Sequence, residues 1–380
     1  MVRPLGRLRW RRARKLAAGL DLLAAVGPRY AIGRRRELRH LKRLDYELPN
    51  ALYRSIWGEA ATQLGARLLE LGQGRFELRR DQTSCQVWLH RTTLDDPASV
   101  ERALDKPQVQ RLLGAAALPV PAHVAVRYDD PAAALGFLER KGGPVVVKPA
   151  SSSGGIGVTM GVRTEDELIR AMLFASSTDS RLLIEHESPG DCYRFLFLDG
   201  ELLDLVRRRP PKLVGDGRST AAELIAAENR RRLAGVGREA FHLLLMNLDA
   251  VLTLERQGLD LSSRPQSGEA FLVKRVVSQN GSRDNETVRE RLSPQLVAEA
   301  KAAVDAVGLR FAGVDLITDD LTRPLSASGG AILEVNGTPG LHYHYLVAEP
   351  AGATLVAVPI LQAMLAPPRD APVFLPPVAG

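Results

Sequence analysis

The chain has 380 residues, 45% hydrophobic and 25% charged, enough for a large core and two or more compact units. Its net charge of +7 admits an anionic ligand, nucleic acid or an acidic surface and selects none of them. Two distant cysteines, Cys85 and Cys192, exclude a disulfide framework or zinc site, and no apolar run approaches the ~18 residues of a membrane span, so a cytoplasmic protein is expected.

Residues 1–50 are expected to form a basic helical extension. Arginine and lysine crowd the stretch from Arg3 to Arg43 against only Asp21 and Glu37. A solvated helical lead-in is the plain reading, and docking on nucleic acid or anionic lipid the alternative. Leu16–Val26 has the apolarity of a signal-peptide core, but Asp21 interrupts it and no A-x-A pattern follows. Residues 51–100 read as a small segment ahead of the main domain. A helix is predicted over Tyr53–Leu71, with Ile56, Ala60, Leu64, Leu68 and Leu71 on one stripe. Strands follow near Arg75–Leu78 and Gln86–His90, then a helix from about Ser99 to Leu113. Pro119 and Pro121 break the chain. The main domain, 101–368, alternates strands and helices, with Thr164/Glu167 and Thr220/Glu223 at capping-box spacing. Gly215–Gly217 reads as a tight turn before the second cap. A Pro-rich tail, 369–380, closes the chain.

The stretch VVVKPASSSGGIGVTMGV, Val145 to Val162, sets Lys148 ahead of a loop of three serines and three glycines, Ser151 to Gly157. A Walker A loop has its lysine after the glycines and a helix behind it. A dinucleotide fingerprint also opens a helix. Here Val158–Val162 continue as a second strand, so the loop is predicted to join two strands as a long hairpin. Its amides and small side chains suit a polyphosphate, with Lys148 aimed at the same phosphates. Taken alone, it is equally a flexible glycine–serine hairpin with an incidental lysine.

A second stretch, AILEVNGTPG from Ala331, places Glu334 and Asn336 at i and i+2 of a strand, with Leu333 and Val335 predicted to face the core. The strand Phe311–Ile317 carries Asp315 and is expected to pair with it. Asp315, Glu334 and Asn336 are then three hard oxygen donors, suited to Mg²⁺ held jointly with nucleotide phosphates.

Together these pieces resemble the ATP-grasp superfamily, and within it the cyanophycin synthetase group of carboxylate–amine ligases, over roughly Leu104 to Leu365. Glutathione synthetase-like domains and the ribosomal-protein glutamate ligases are more distant kin. The motifs run in family order: Asp105-Lys106 opening a helix, Lys148 before the Gly/Ser loop, LLIEHESPGDCYRFLFLDGEL with Glu185 and Arg194, RRRPPKLVGDGRSTAAELI, FAGVD, and ILEVNGTPGLHYH. The resemblance implies an α+β fold of the ATP-grasp type, two subdomains clamping ATP. It implies a ligase that makes an amide or peptide bond through an acylphosphate, with ATP and Mg²⁺, or Mn²⁺ in its place, as cofactors. Lys106 and Lys148 would contact the phosphates, and the loop Ser151, Ser152, Ser153, Gly154, Gly155, Ile156 and Gly157 would cover them. Glu185, His186 and Glu187 would hold the adenine, and Asp315, Glu334 and Asn336 the metal. Arg194 and Arg208 would stabilise the acylphosphate and the tetrahedral intermediate.

The sequence departs from the pattern in places. Cys192 stands where the family has an acid before Tyr-Arg, so Asp191 is expected to reach the ribose through a shifted turn. Asp284 and Asn285 replace glycines after Asn280 and Ser282, in a loop expected near the substrates. His342 and His344 either line the carboxylate or amine pocket or simply pack. No G-K-[ST] occurs, so one condensation per site is expected rather than alternating polymerisation. The partners expected are a small-molecule or peptide carboxylate and an amine, with no membrane. A homo-oligomer stays open. A silent nucleotide-binding regulator, or a nucleic-acid-associated protein using the basic N-terminus, remains the alternative.

Overall fold

The computed structural model describes residues 4–26, 47–235, 240 and 242–366. The basic run from Arg34 to Arg43 and the 369–380 tail lie outside the described residues. The basic helix α1 (Pro4–Val26) keeps most of its described side chains in solvent but is docked along one side. It packs on α6 (below): Arg14 Nε donates to the Ser176 carbonyl at 3.1 Å, and Arg170 Nε donates to Asp21 at 3.0 Å. No described helix is long and apolar enough to cross a membrane.

Helix α2 spans 47–63 and stops well short of Leu71. Gly65, in the left-handed region at φ 64°, turns the chain out, and Ala66 N–H closes the end on the Ala61 carbonyl. Leu68 and Leu71 therefore belong to β1 (Arg67–Gly72), the edge of an antiparallel meander with β2 (Arg75–Arg80) and β3 (Thr83–Trp88). The predicted single helix from Ser99 is two helices, α3 (Pro97–Leu104) and α4 (Lys106–Ala115). Asp105 between them is extended and caps α4 by accepting from Gln108 N–H, with Pro107 beside it in the first turn.

The first α+β unit holds β4 (His123–Arg127), α5 (Ala132–Lys141), β5 (Val145–Pro149), β6 (Thr159–Val162), α6 (Glu165–Ser176) and β7 (Arg181–His186). Its sheet runs β4-β7-β5-β6, all antiparallel, and β5–β6 is the predicted hairpin around the Gly/Ser loop. Phe137, Leu168 and Met172 cover one face of it.

The second unit begins with the hairpin of β8 (Asp191–Leu198) and β9 (Glu201–Arg208), turned by Asp199-Gly200, both at positive φ. Then come β10 (Lys212–Val214), α7 (Ala221–Ala234), α8 (Leu248–Glu255), β11 (Ala270–Leu272), β12 (Asn285–Thr287), α9 (Pro294–Val307) and β13 (Phe311–Thr318). The chain ends with α10 (Leu325–Ser328), β14 (Ala331–Gly337), α11 (His342–Tyr345) and α12 (Ala357–Leu365). The sheet order is β12-β9-β8-β13-β14, and every residue of β13 is buried. The GDG turn is structural: a Cβ on Gly215 would lie 2.6 Å from the Pro265 carbonyl oxygen, and Asp216 accepts from Arg218 and Ser219 N–H. The 51–100 segment shares its core with the second unit, since Tyr53, Trp57 and Leu78 pack with Phe311, Ile360 and Leu361.

Thr220 and Glu223 complete a reciprocal capping box on α7, whereas Glu167 accepts from Arg163 rather than from its cap. Replacing Thr220 with Ala is expected to cost about 1 kcal/mol, read as a lower urea midpoint.

Candidate active site

The register of the five-stranded sheet builds the acidic end of the site. Asp315 on β13 lies directly opposite Arg194 on β8 and Glu334 on β14, and opposed residues share a face. Arg194 grips Asp315 with two bonds of 2.7 Å, Arg208 Nη1 adds one at 3.3 Å, and Asn336 Nδ2 one at 3.1 Å. Both guanidinium groups stack on the Tyr343 ring, at 3.8 Å for Arg208 and 5.2 Å for Arg194. Leu333 does not face the core. A bulge between Asp315 and Leu316 shifts the pairing and turns Leu333 to the cleft beside Glu334, where its carbonyl accepts from Gln110.

The basic end comes from the first unit. Val146 on β5 sits opposite Glu185 on β7, so Val146, Lys148 and Glu185 share the cleft face. Lys148 Nζ pairs with Glu185 at 2.7 Å, and Glu185 is only 3% exposed. Lys106, the first residue of α4, spans both units. Its Nζ pairs with Glu334 at 2.5 Å and donates to the Ser152 carbonyl at 2.7 Å. Loop, lysines and acids thus meet in one cleft between the sheets.

Not every expected residue reaches it. Of the loop, Ser152, Ser153, Gly154 and Gly155 line the cleft; Ser151, Ile156 and Gly157 do not. Ile156 is 58% exposed, and Gly157 lies against Pro149. Strand alternation puts Cys192 with Arg194 in the cleft and turns Asp191 outward toward Arg207, 3.6 Å away, so no shifted turn returns Asp191 to the site. His186 and Glu187 line the hinge end, where Glu187 pairs with Arg275. Asn280 bonds Asn285 and the Arg209 carbonyl, a scaffold for its loop rather than a cleft wall. His342 and His344 pack: His344 Nδ1 contacts Asp204 at 2.7 Å, and His342 Nδ1 contacts Tyr53 Oη at 3.2 Å.

Sequence reasoning missed Gln110, Arg275, Ser278 and Asp249. Asp249, fully buried on α8, accepts from Met160, Arg275 and Val276 N–H and so ties β6 to the 275–278 wall. A lone acid inside the apolar run NLDAVL was the signal for it. A Cβ on Gly155 would collide with Ser278 Oγ and stand 2.7 Å from Val276 Cγ1, so the loop rests directly on that wall.

The charges are mutually dependent. Burial alone would raise the Asp315 carboxyl; Arg194 and Arg208 outweigh it and hold it below the ordinary carboxylate range. Burial likewise opposes ionisation of Glu334, and Lys106 and Lys148 outweigh it. Two carboxylates and an amide, all hard donors, fit a divalent cation shared with phosphates. Among the described residues there is no group of three or more His, Cys, Asp or Glu that would hold a metal on its own.

No family model matches the chain. Over 288 residues it is 32% identical to cyanophycin synthetase from Nostoc sp., a match covering 74% of the chain and 31% of the relative. It is 32% identical over 207 residues to a glutathione biosynthesis bifunctional protein from Enterococcus faecalis, covering 52% of the chain and 27% of that protein. The chain spans less than a third of the length of these curated relatives. Among solved structures, a bifunctional glutathione synthetase from Pasteurella multocida superposes with a TM-score of 0.50 at 23% identity, over 80% of the chain and 42% of that structure. The fold and the sequence together place the chain in the ATP-grasp superfamily. Within it, the matched portion is cyanophycin synthetase-like.

Asp315→Asn leaves two guanidinium groups buried against a neutral amide, and a loss of about 3–5 kcal/mol is expected from urea unfolding at neutral pH. Depressed carboxyls stabilise fully above their unfolded value, near 4, and that contribution fades as pH falls through the lower folded values. The wild-type midpoint is therefore expected to drop on acidification below about pH 4, and D315N to drop less.

Proposed function

We propose that the chain is a cytoplasmic ATP-dependent carboxylate–amine ligase, acting on an amino acid or peptide through an acylphosphate, with Mg²⁺ as its metal. The observation that carries this reading is the convergence of two lysines, the Gly/Ser hairpin and Asp315–Glu334–Asn336 on one cleft. Both free thiols and the absence of a described membrane-spanning helix suit that location.

A carboxylate oxygen attacks the γ-phosphorus, ADP leaves, and the amine then displaces phosphate from the acyl carbon. Neither step requires a protein nucleophile, so the chain's contribution is positioning and charge. Lys148 and Lys106 neutralise the phosphates from opposite walls while the Ser152–Gly155 amides cover them. Asp315, Glu334 and Asn336 would hold the cation by giving up part of their pairing with Arg194, Arg208 and Lys106, and it would screen the polyphosphate and draw charge off the leaving oxygen. Arg194 and Arg208, fixed on Asp315 and Tyr343, face the acyl group. The Nε of Arg208 is buried with no hydrogen-bond partner, a donor that a substrate oxygen would satisfy. Substrate size and identity are set where the Tyr343 platform meets the 275–278 wall.

The decisive assay measures ADP release across pairs of amino acids, followed by the mass of the product. Release is expected only with carboxylate and amine both present and with Mg²⁺, and chelation should abolish it. Silence across the screen would refute ligase activity and leave a nucleotide-binding regulator. Replacing Lys106 or Lys148 with Met removes a charge-assisted contact of about 1.5–3 kcal/mol, so turnover should fall roughly 10- to 150-fold.

A further inference from the structure

Each carboxylate lining the cleft is already held by a cation: Asp315 by Arg194 and Arg208, Glu334 by Lys106, Glu185 by Lys148, Glu187 by Arg275. An amine arrives as an ammonium ion and must shed a proton before its lone pair attacks. None of the four acids accepts that proton without breaking its ion pair.

Imidazoles stand next to the cleft instead. His90 after β3, His242 ahead of α8 and His342 in α11 gather around Tyr53. Ring centroids lie 5.9 Å apart for Tyr53 and His90, 6.5 Å for Tyr53 and His342, and 6.4 Å for His242 and His342. One end of the cluster meets Tyr343, 4.0 Å from His342, the ring beneath both arginines. The other end reaches the phosphate loop: His242 Nε2 lies 3.9 Å from the position a Cβ on Gly154 would take. His186, the histidine within the cleft wall, turns its Nε2 to Gly143 at the hinge instead.

We propose, on the ligase reading above, that His242 is the proton acceptor for the attacking amine. The ammonium carries three protons. One passes to His242 as the C–N bond forms, one leaves with the phosphate as the acyl C–O bond breaks, and one stays on the amide nitrogen. Charge balances, with an imidazolium and hydrogen phosphate as products beside the neutral amide. Burial, with Arg232 and Lys274 nearby, pushes His242 down to about 4, so the ring waits uncharged. The negative charge of ADP and the acylphosphate near Gly154 would raise it again, so the acceptor strengthens at the step where the amine attacks. Burial also keeps His342 and His90 neutral, offering the proton a path away from the arginines.

Hydroxylamine tests this, since it is already uncharged at neutral pH and needs no base. ADP release by the full-length protein and by H242Q is measured in a mixture of the twenty amino acids, with and without hydroxylamine. H242Q is expected to be about 100-fold slower or worse with amino acids alone, and to return to near the wild-type rate with hydroxylamine. An equal loss with both nucleophiles, or no loss, overturns the role of His242 and leaves the ligase reading standing. A wild-type protein silent with both overturns the ligase reading and this assignment with it. Melting temperature and ATP affinity show whether H242Q is intact; if it does not fold, H242N is read in the same assay.

Discussion

A buried carboxylate with two arginines on it organises this molecule. Asp315 sits at the middle of β13, a strand buried along its whole length, where an unpaired charge would not survive. The neighbouring elements answer it, Arg194 in register from β8 and Arg208 from β9 with guanidinium groups, and Asn336 of β14 with its amide. Removing water from such a group is expensive, and the pairing offsets that cost only because the geometry is bidentate and the remaining lone pairs are filled. The sheet therefore folds around a charge it would otherwise exclude. The same charge fixes both arginines in one orientation, against the face of Tyr343.

The opposite wall repeats the arrangement with lysine. Lys148 and Glu185 form a buried pair on the small sheet, while Lys106 reaches across from the start of α4 to Glu334. Lysine is scarce in this arginine-rich chain, yet it occupies both positions. A compact ammonium reaches a phosphate from a strand or helix end without the planar footprint of a guanidinium. Each ammonium rests on a carboxylate, so the site carries its own counter-ions. On the ligase reading, those pairs would loosen when phosphates and a cation arrive, and binding would be an exchange of partners.

Much of this was legible in the residues, and the failures have local causes. The hairpin, the Asp315 strand and the Glu334–Asn336 spacing follow from alternation, which is short-range. Leu333 was misread because a bulge is a property of two strands in register, invisible in either alone. Asp191 was misread because a one-residue shift of an acid along a strand moves it to the other face. The first helix was drawn too long since Leu68 and Leu71 continue its stripe, and only the left-handed Gly65 says otherwise. Periodicity drew one helix from Ser99 to Leu113, and only the Asp105-Lys106 motif, read as the opening of a helix, marked the break that delivers Lys106. Gln110 and Ser278 come to the site from segments far apart in the chain and nothing in their immediate neighbours marks them, whereas Asp249 was marked by its apolar surroundings alone.

The packing of Gly155 on Ser278 bears on traffic through the site. With no side chain between them, the hairpin tip and the far wall are in direct contact, the buried Ser278 hydroxyl lying against the Gly155 backbone. On the ligase reading, exchange of spent for fresh nucleotide would require the hairpin tip to lift from that wall, while Asp249 ties its β6 root to the same wall. On the ligase reading, turnover would then be paced by the hairpin rather than by bond making.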